Sequence, residues 1–192
     1  PASRKVAPTM SVAMLGEWIV SGDEGRSRIR TVVQEARRLA GATAVLSTRN
    51  GIDVQYIHVV RAPEVNFRSR SPGAGVLRPI LRSSPGFVLL SALDDRQISL
   101  IARRVQATRG EAVCLDQVMI DVEKTRRQGY GWDASGVYPA VGSVSIRLPV
   151  DDMFGKPLVL SVAGSSDWVA GNHKRIARML FRVVKHKLPQ PG

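Results

Sequence analysis

Two runs rich in β-branched residues, 43–47 and 52–60, are separated by Asn50-Gly51. Asn-Gly in that place favours a two-residue turn of type I′, because both central residues of such a turn need positive φ. Strands joined this closely leave no room for the helical crossover that parallel pairing demands. The logic recurs near the C-terminus. Residues 143–150 alternate, with Val144, Ile146, Leu148 and Val150 on one side, and 156–163 follows across a turn containing Gly155. Antiparallel hairpins towards both ends, with helices between them, specify an α+β domain rather than a doubly wound parallel sheet.

The helices declare themselves by period. A short amphipathic helix is expected over 11–20. Residues 26–39 place Ile29, Val32, Val33, Ala36 and Leu39 at helical spacing, and Gly41 stops them. Residues 61–79 read as loop, with 65–68 as a possible short strand. A helix is expected over 82–92, then another through 105 whose first turn has Asp94 and Gln97 in reciprocal capping positions. A third starts at Asp116, carries Val118, Met119 and Val122 on one face, and ends at Gly129. The last, 172–187, turns Ile176, Met179, Leu180, Val183 and Val184 inward and its basic residues outward.

The chain has 192 residues, 44% of them hydrophobic and 23% charged, enough for one well-filled core. Its single cysteine, Cys114, excludes an internal disulfide and reads as a reduced thiol of a cytoplasmic protein, buried at a helix start. The longest apolar stretches fall far short of the ~20 residues that a spanning helix needs. Residues 1–10 are basic but lack the apolar core of a secretory signal, and no initiator Met opens them; they read as the continuation of a longer chain.

Twenty-eight Lys and Arg against sixteen Asp and Glu leave a net charge of +12. Such an excess favours nucleic acid or acidic ligands. The bases are dispersed, however, and the pairs Arg37-Arg38, Arg103-Arg104 and Arg126-Arg127 read as solvated helix faces. Aromatics make up 5%, too few for a stacking platform. A basic nucleic-acid-binding module with no small-molecule effector is the alternative function, and it predicts steep loss of binding with salt.

Catalytic and metal motifs find no foothold. His173 and His186 are thirteen apart rather than the four or so of a helical metal site, and with His58 they read as surface or edge residues. Ser143, Ser145, Ser165 and Ser166 lack the glycines of a nucleophile elbow. Gly73 and Gly75 lack the third glycine and the flanking strand of a dinucleotide site. Asp151-Asp152 is explained by turn chemistry. No enzyme activity, cofactor or metal is expected.

The remaining signal lies in 127–164. The string Gln128-Gly129-Tyr130-Gly131-Trp132-Asp133 is followed by Val144-Ser145-Ile146-Arg147-Leu148-Pro149-Val150, then Gly155-Lys156 and Leu160-Ser161-Val162-Ala163-Gly164. Together these resemble the effector-binding domain of IclR-type transcriptional regulators. That pattern is a helix ending in R-x-x-G-[YF], an acidic residue, an A-P-V strand, a D-x-x-G turn and an S-x-S-G strand. Residues 75–92 resemble a diverged form of the family's upstream segment. Ala7-Pro8-Thr9-Met10 with Val12, Leu15 and Gly16 resembles the junction leaving a winged helix-turn-helix.

The resemblance implies a GAF-like (profilin-like) fold, a curved antiparallel sheet with helices on its faces and a pocket for a small organic, often aromatic, acid. It implies residues 1–20 as the end of a DNA-binding domain and linker helix, and 21–188 as the effector-binding domain. It also implies a homodimer or homotetramer, contact with DNA only through an N-terminal winged-helix domain that this chain lacks, and no membrane partner. The pocket acid falls on Asp133, strand hydroxyls on Ser145 and Ser161, and the loop–helix contact near Ser83, Ser84 and Pro85. Ala163 replaces the family's second serine, Phe87 its lysine and Leu81 its histidine. From the residues themselves, Ser145 and Ser161 share one face of neighbouring strands, and Arg78 and Arg82 could clamp a carboxylate. Trp132 reads as core.

Overall fold

The computed structural model describes residues 24–62, 73–134, 140–152 and 155–188. The expected helix over 11–20, the strand over 65–68 and the linker assigned to 1–20 lie outside them. α1 (Glu24–Ala40) ends at Gly41, whose φ of 62° is the left-handed conformation that glycine adopts without penalty. β1 (Thr43–Asn50) and β2 (Asp53–Val60) form the first hairpin.

Its turn differs from the expected one. Asn50 pairs with Asp53, so the two loop residues are Gly51 and Ile52, and only Gly51 has positive φ. That pattern belongs to a type II′ turn, with glycine at the first central position. Asn50 is the last ladder residue instead of a turn residue.

β3 (Leu77–Pro79) runs into a 3-10 turn over Ile80–Arg82, and α2 (Ser84–Ser91) follows. The sequence reading fused these into one helix from 82. Ser83 instead takes an extended conformation, and Pro85, suited to a helix's first turn, sets the start at Ser84. α3 (Asp95–Arg109) shows the expected capping box: Asp94 accepts from the Gln97 amide, and the Gln97 side chain accepts from the Asp94 amide. α4 (Leu115–Gln128) stops at Gly129, again left-handed. Cys114 stands at the start of α4 as expected, but it is exposed rather than buried.

β4 (Gly131–Asp133), β5 (Val141–Asp151), β6 (Pro157–Ser165) and α5 (Ser166–Lys187) complete the described chain. α5 starts six residues before the sequence reading placed it. Gly171 lies inside it, at a place where a side chain would meet nothing.

The six strands form one curved antiparallel sheet in the order β3-β2-β1-β6-β5-β4. Alternation along each strand divides the core in two. Leu46, Val144, Ile146, Leu148, Leu160 and Val162 face α1 and α5, where Val32, Val33, Ile176 and Leu180 are fully or almost fully buried. Val159 faces the other way, against Val54, α2, α3 and α4. α2 is the deepest element. All residues from Ser84 to Leu90 are buried, which is why its sequence shows no polar face. Among the described residues, no helix is long and apolar enough to cross a membrane.

Leu160→Ala opens a cavity between two layers and is expected to cost about 2–5 kcal/mol. Asp94→Ala removes only a helix cap and is expected to cost about 1 kcal/mol. Urea unfolding of both variants beside the parent checks the ranking.

Candidate functional site

The site is built where α2 begins. Gly131 of β4 passes so close to this helix that a Cβ there would lie 2.5 Å from the Ser84 carbonyl oxygen. Gly86 is pressed against the 3-10 turn, where a Cβ would collide with the Ile80 carbonyl. These two glycines let the helix start lie directly on the sheet edge. Ser83, at the N-cap position, makes no side-chain cap; its hydroxyl donates to the Pro79 carbonyl instead. The Ser84 amide donates to Asp133 Oδ2 at 2.8 Å. A carboxylate from another element thus occupies the helix N-terminus, where amides without an intrahelical partner favour negative charge.

Four hydroxyls continue from it. Ser143 Oγ donates to Asp133 Oδ2 at 3.2 Å, Ser84 Oγ lies 2.6 Å from both Ser143 Oγ and Ser145 Oγ, and Ser145 Oγ lies 2.8 Å from Ser161 Oγ. Each hydroxyl has one proton. Because the carboxylate only accepts, Ser143 must spend its proton on Asp133. The others then follow one direction: Ser161 donates to Ser145, Ser145 to Ser84, and Ser84 to Ser143. Such a chain polarises each bond towards the charge at its end. Ser84 and Ser145 are fully buried and Ser161 almost so.

Asp133 also faces outward. It lines a cavity of about 610 Å³ together with Trp132, Phe87, Arg82, Lys124 and the turn around Cys114. Trp132 has a double role: it packs against the α1–α5 core and forms part of this wall. Its indole stacks on the His173 ring at 4.1 Å between centroids, with Lys124 Nζ 4.4 Å from the indole centroid. Tyr130 Oη lies 2.9 Å from His173 Nδ1. The indole Nε1 is buried with no hydrogen-bond partner among the described residues. Arg109, also on the cavity wall, is ion-paired with Asp53. Among the described residues, no group of three or more His, Cys, Asp or Glu could hold a metal ion.

The six residues singled out from sequence therefore separate. Asp133, Ser84, Ser145 and Ser161 form one bonded cluster. Ala163 stands opposite Ser143 in the β5–β6 ladder, where a methyl adds nothing to the hydroxyl chain. Arg78 lies on β3, buried, with its guanidinium 5.2 Å from the Tyr56 ring centroid, and it does not line the cavity. Arg82 does. Ser143 was legible as part of the same alternation but was not singled out. Lys124, on the outer face of a helix, gave no signal at all.

Comparison with known proteins places the chain among bacterial transcriptional regulators. The family model described as bacterial transcriptional regulator IclR, C-terminal, matches residues 20–185. The chain belongs to the IclR family, and the resemblance carried by residues 127–164 is borne out. Among solved structures, the effector domain of an IclR regulator from Acinetobacter sp. ADP1 is 24% identical, with a TM-score of 0.74 over 86% of this chain and 96% of that one. An IclR family regulator from Brucella abortus is 19% identical, with a TM-score of 0.72 over 94% of this chain and 68% of that one. The IclR of Thermotoga maritima is 16% identical, with a TM-score of 0.72 over 93% and 73%. These likenesses show a shared fold. No curated protein matches the chain in sequence.

Burial pushes both His58 and His173 below the usual histidine value, helped by Arg30 at the first and by Lys124 and Lys174 at the second. With the folded-state pKa depressed, the unfolded chain binds more protons as pH falls through and below the ordinary histidine value. Stability is thus full above that value, near 6.5, and declines as pH falls towards the folded-state values. Urea midpoints taken between pH 7.5 and 5 are expected to fall in the parent and to fall less in His58→Gln/His173→Gln.

Proposed function

We propose that this chain is the small-molecule sensing and oligomerisation domain of an IclR-type transcriptional regulator. It binds a small organic acid, aromatic in the favoured case, and thereby modulates operator binding by a winged-helix domain of the kind that family members carry N-terminally. It works in the cytoplasm, as a homodimer or homotetramer, and catalyses no reaction. The observation that carries this reading is the cavity at Asp133. It combines an apolar wall of Trp132, Phe87 and Val118 with a few converging polar groups, the pattern of a metabolite site. Lys124 and Arg82 supply positive charge for a carboxylate. Phe87 stands where family members carry a lysine, which favours a flat apolar body in the ligand.

Asp133, Ser145 and Ser161 are assigned to this site, with Asp133 at its wall and the serines fixing it from behind. Ser84 belongs to the same support, and Ala163, opposite Ser143, adds no hydrogen bond to it. Arg78, buried on β3 against Tyr56 and absent from the cavity wall, is not assigned to the site.

A thermal-shift screen against carboxylic and aromatic metabolites tests the reading. A ligand at about 100 times its Kd is expected to add roughly 2.7 kcal/mol, or several degrees for a chain of this length. Lys124→Gln and Asp133→Ala are each expected to reduce the ligand-induced shift, whatever they do to the unliganded melting temperature. No shift from any compound sinks the sensing role. Sedimentation at high micromolar concentration is expected to give two or four copies; a strict monomer speaks against the assembly.

A further inference from the structure

The net charge is not spread evenly over this fold. α1 and α5 together carry eleven Lys and Arg and three Asp and Glu, so two helices hold eight of the twelve excess positive charges. On the opposite layer, α3 and α4 carry seven bases against four acids. There Arg126 is paired with Asp95 and Glu123, Arg127 with Glu123 and Arg109 with Asp53. α5 differs. Lys174, Arg175, Arg178, Arg182, Lys185 and Lys187 are all exposed. Among the described residues, no carboxylate lies within ion-pair distance of any of them.

The two helices make one surface. They pack side by side on the same face of the sheet. Glu35 of α1 is held below the usual carboxylate range by Arg38 and, more weakly, by Lys187 at the far end of α5. Lys174, Arg178, Arg182 and Lys185 follow at helical spacing, and at about 1.5 Å per residue they form a row roughly 16 Å long. No other purpose for this row is visible in the packing, since the apolar side of α5 already fills the core with Ile176, Leu180 and Val183.

We propose that the outer face of α1 and α5 is a sequence-independent contact surface for the phosphate backbone of duplex DNA. Duplex DNA presents about one charge per 1.7 Å of axis, so a straight row of cations meets several phosphates at once. A single strand is held chiefly by stacking, and Phe181 is the only aromatic among the exposed large apolar side chains of the described residues. A membrane surface takes helices that offer an apolar side for insertion, and that side of α5 is committed to the core. This face lies across the sheet from the Asp133 cavity, so the inference stands apart from the sensing reading.

The test is fluorescence anisotropy of the full chain with a random-sequence duplex of about 20 base pairs at 50 and 200 mM salt. With about four phosphate contacts, affinity is expected to fall by roughly two orders of magnitude over that range. Arg178→Gln/Arg182→Gln/Lys185→Gln is expected to weaken binding at least tenfold at low salt and to lower the salt slope by about three. Arg96→Gln/Arg103→Gln/Arg104→Gln, an equal charge change on exposed positions of α3, is expected to alter affinity less than threefold. Equal losses in the two triples would show bulk charge rather than a surface and overturn the proposal. So would salt-insensitive binding, or tighter α5-dependent binding to single-stranded RNA or to phosphatidylserine vesicles than to the duplex.

Discussion

The hydrogen bond from the Ser84 amide to Asp133 fixes the start of α2 on the edge strand β4, beside the links that the Ser84 hydroxyl makes to β5. α2 is buried on all sides, so its first-turn amides cannot turn to water. Ser83 leaves them uncapped. The carboxylate that satisfies the first of them comes from β4, an edge strand of three residues, and β4 is held in turn by pairing with β5. Removing the carboxylate would leave a buried donor unsatisfied, a cost of about 1–3 kcal/mol. It would also leave the run of serine hydroxyls without the acceptor that sets its direction. The closeness that permits this bond is bought with two glycines, Gly131 and Gly86, at which even a methyl group would strike backbone.

Much of the fold was legible because its signals are local. The Asp94–Gln97 box, the stops at Gly41 and Gly129, and the alternation of Val144 to Leu148 all depend on neighbours a few residues apart. What failed depended on partners far along the chain. β3 and β4 are three-residue strands, too short for a period, and exist because β2 and β5 present open edges to them. The break at Ser83 follows from packing of the 3-10 turn on Gly86. Cys114 sits at its helix start as the sequence implies, but which side of a helix start meets solvent is decided by the cavity beside it.

The site shows the same division. Alternation alone put Ser145 and Ser161 on one face, and the ladder pairs them directly. Nothing in the spacing of 84 and 133, forty-nine residues apart, announces the bond between them. Asp133 and Ser84 came instead through family resemblance, and the geometry supplies the reason such residues go together: one caps the helix that the other begins. Lys124 was invisible for the opposite cause. A lysine on an amphipathic helix reads as a solvated charge, and only the tertiary fold brings it over the Trp132 ring.

Asp133 stands at the boundary between a sealed interior and an open cavity, so in the proposed sensing role it is the point of coupling. Its inward oxygen, Oδ2, accepts from both Ser84 and Ser143. A donor on a ligand entering from the cavity would draw charge away from that oxygen and weaken both bonds. That change acts on the start of α2, and α2 touches the sheet on one side and α4 on the other. The helix is buried and close-packed, so it cannot absorb a shift by loosening alone and must pass it to its neighbours. An effect on the far layer then requires no movement of the sheet's core, only a change in how firmly one short helix is held at its first residue.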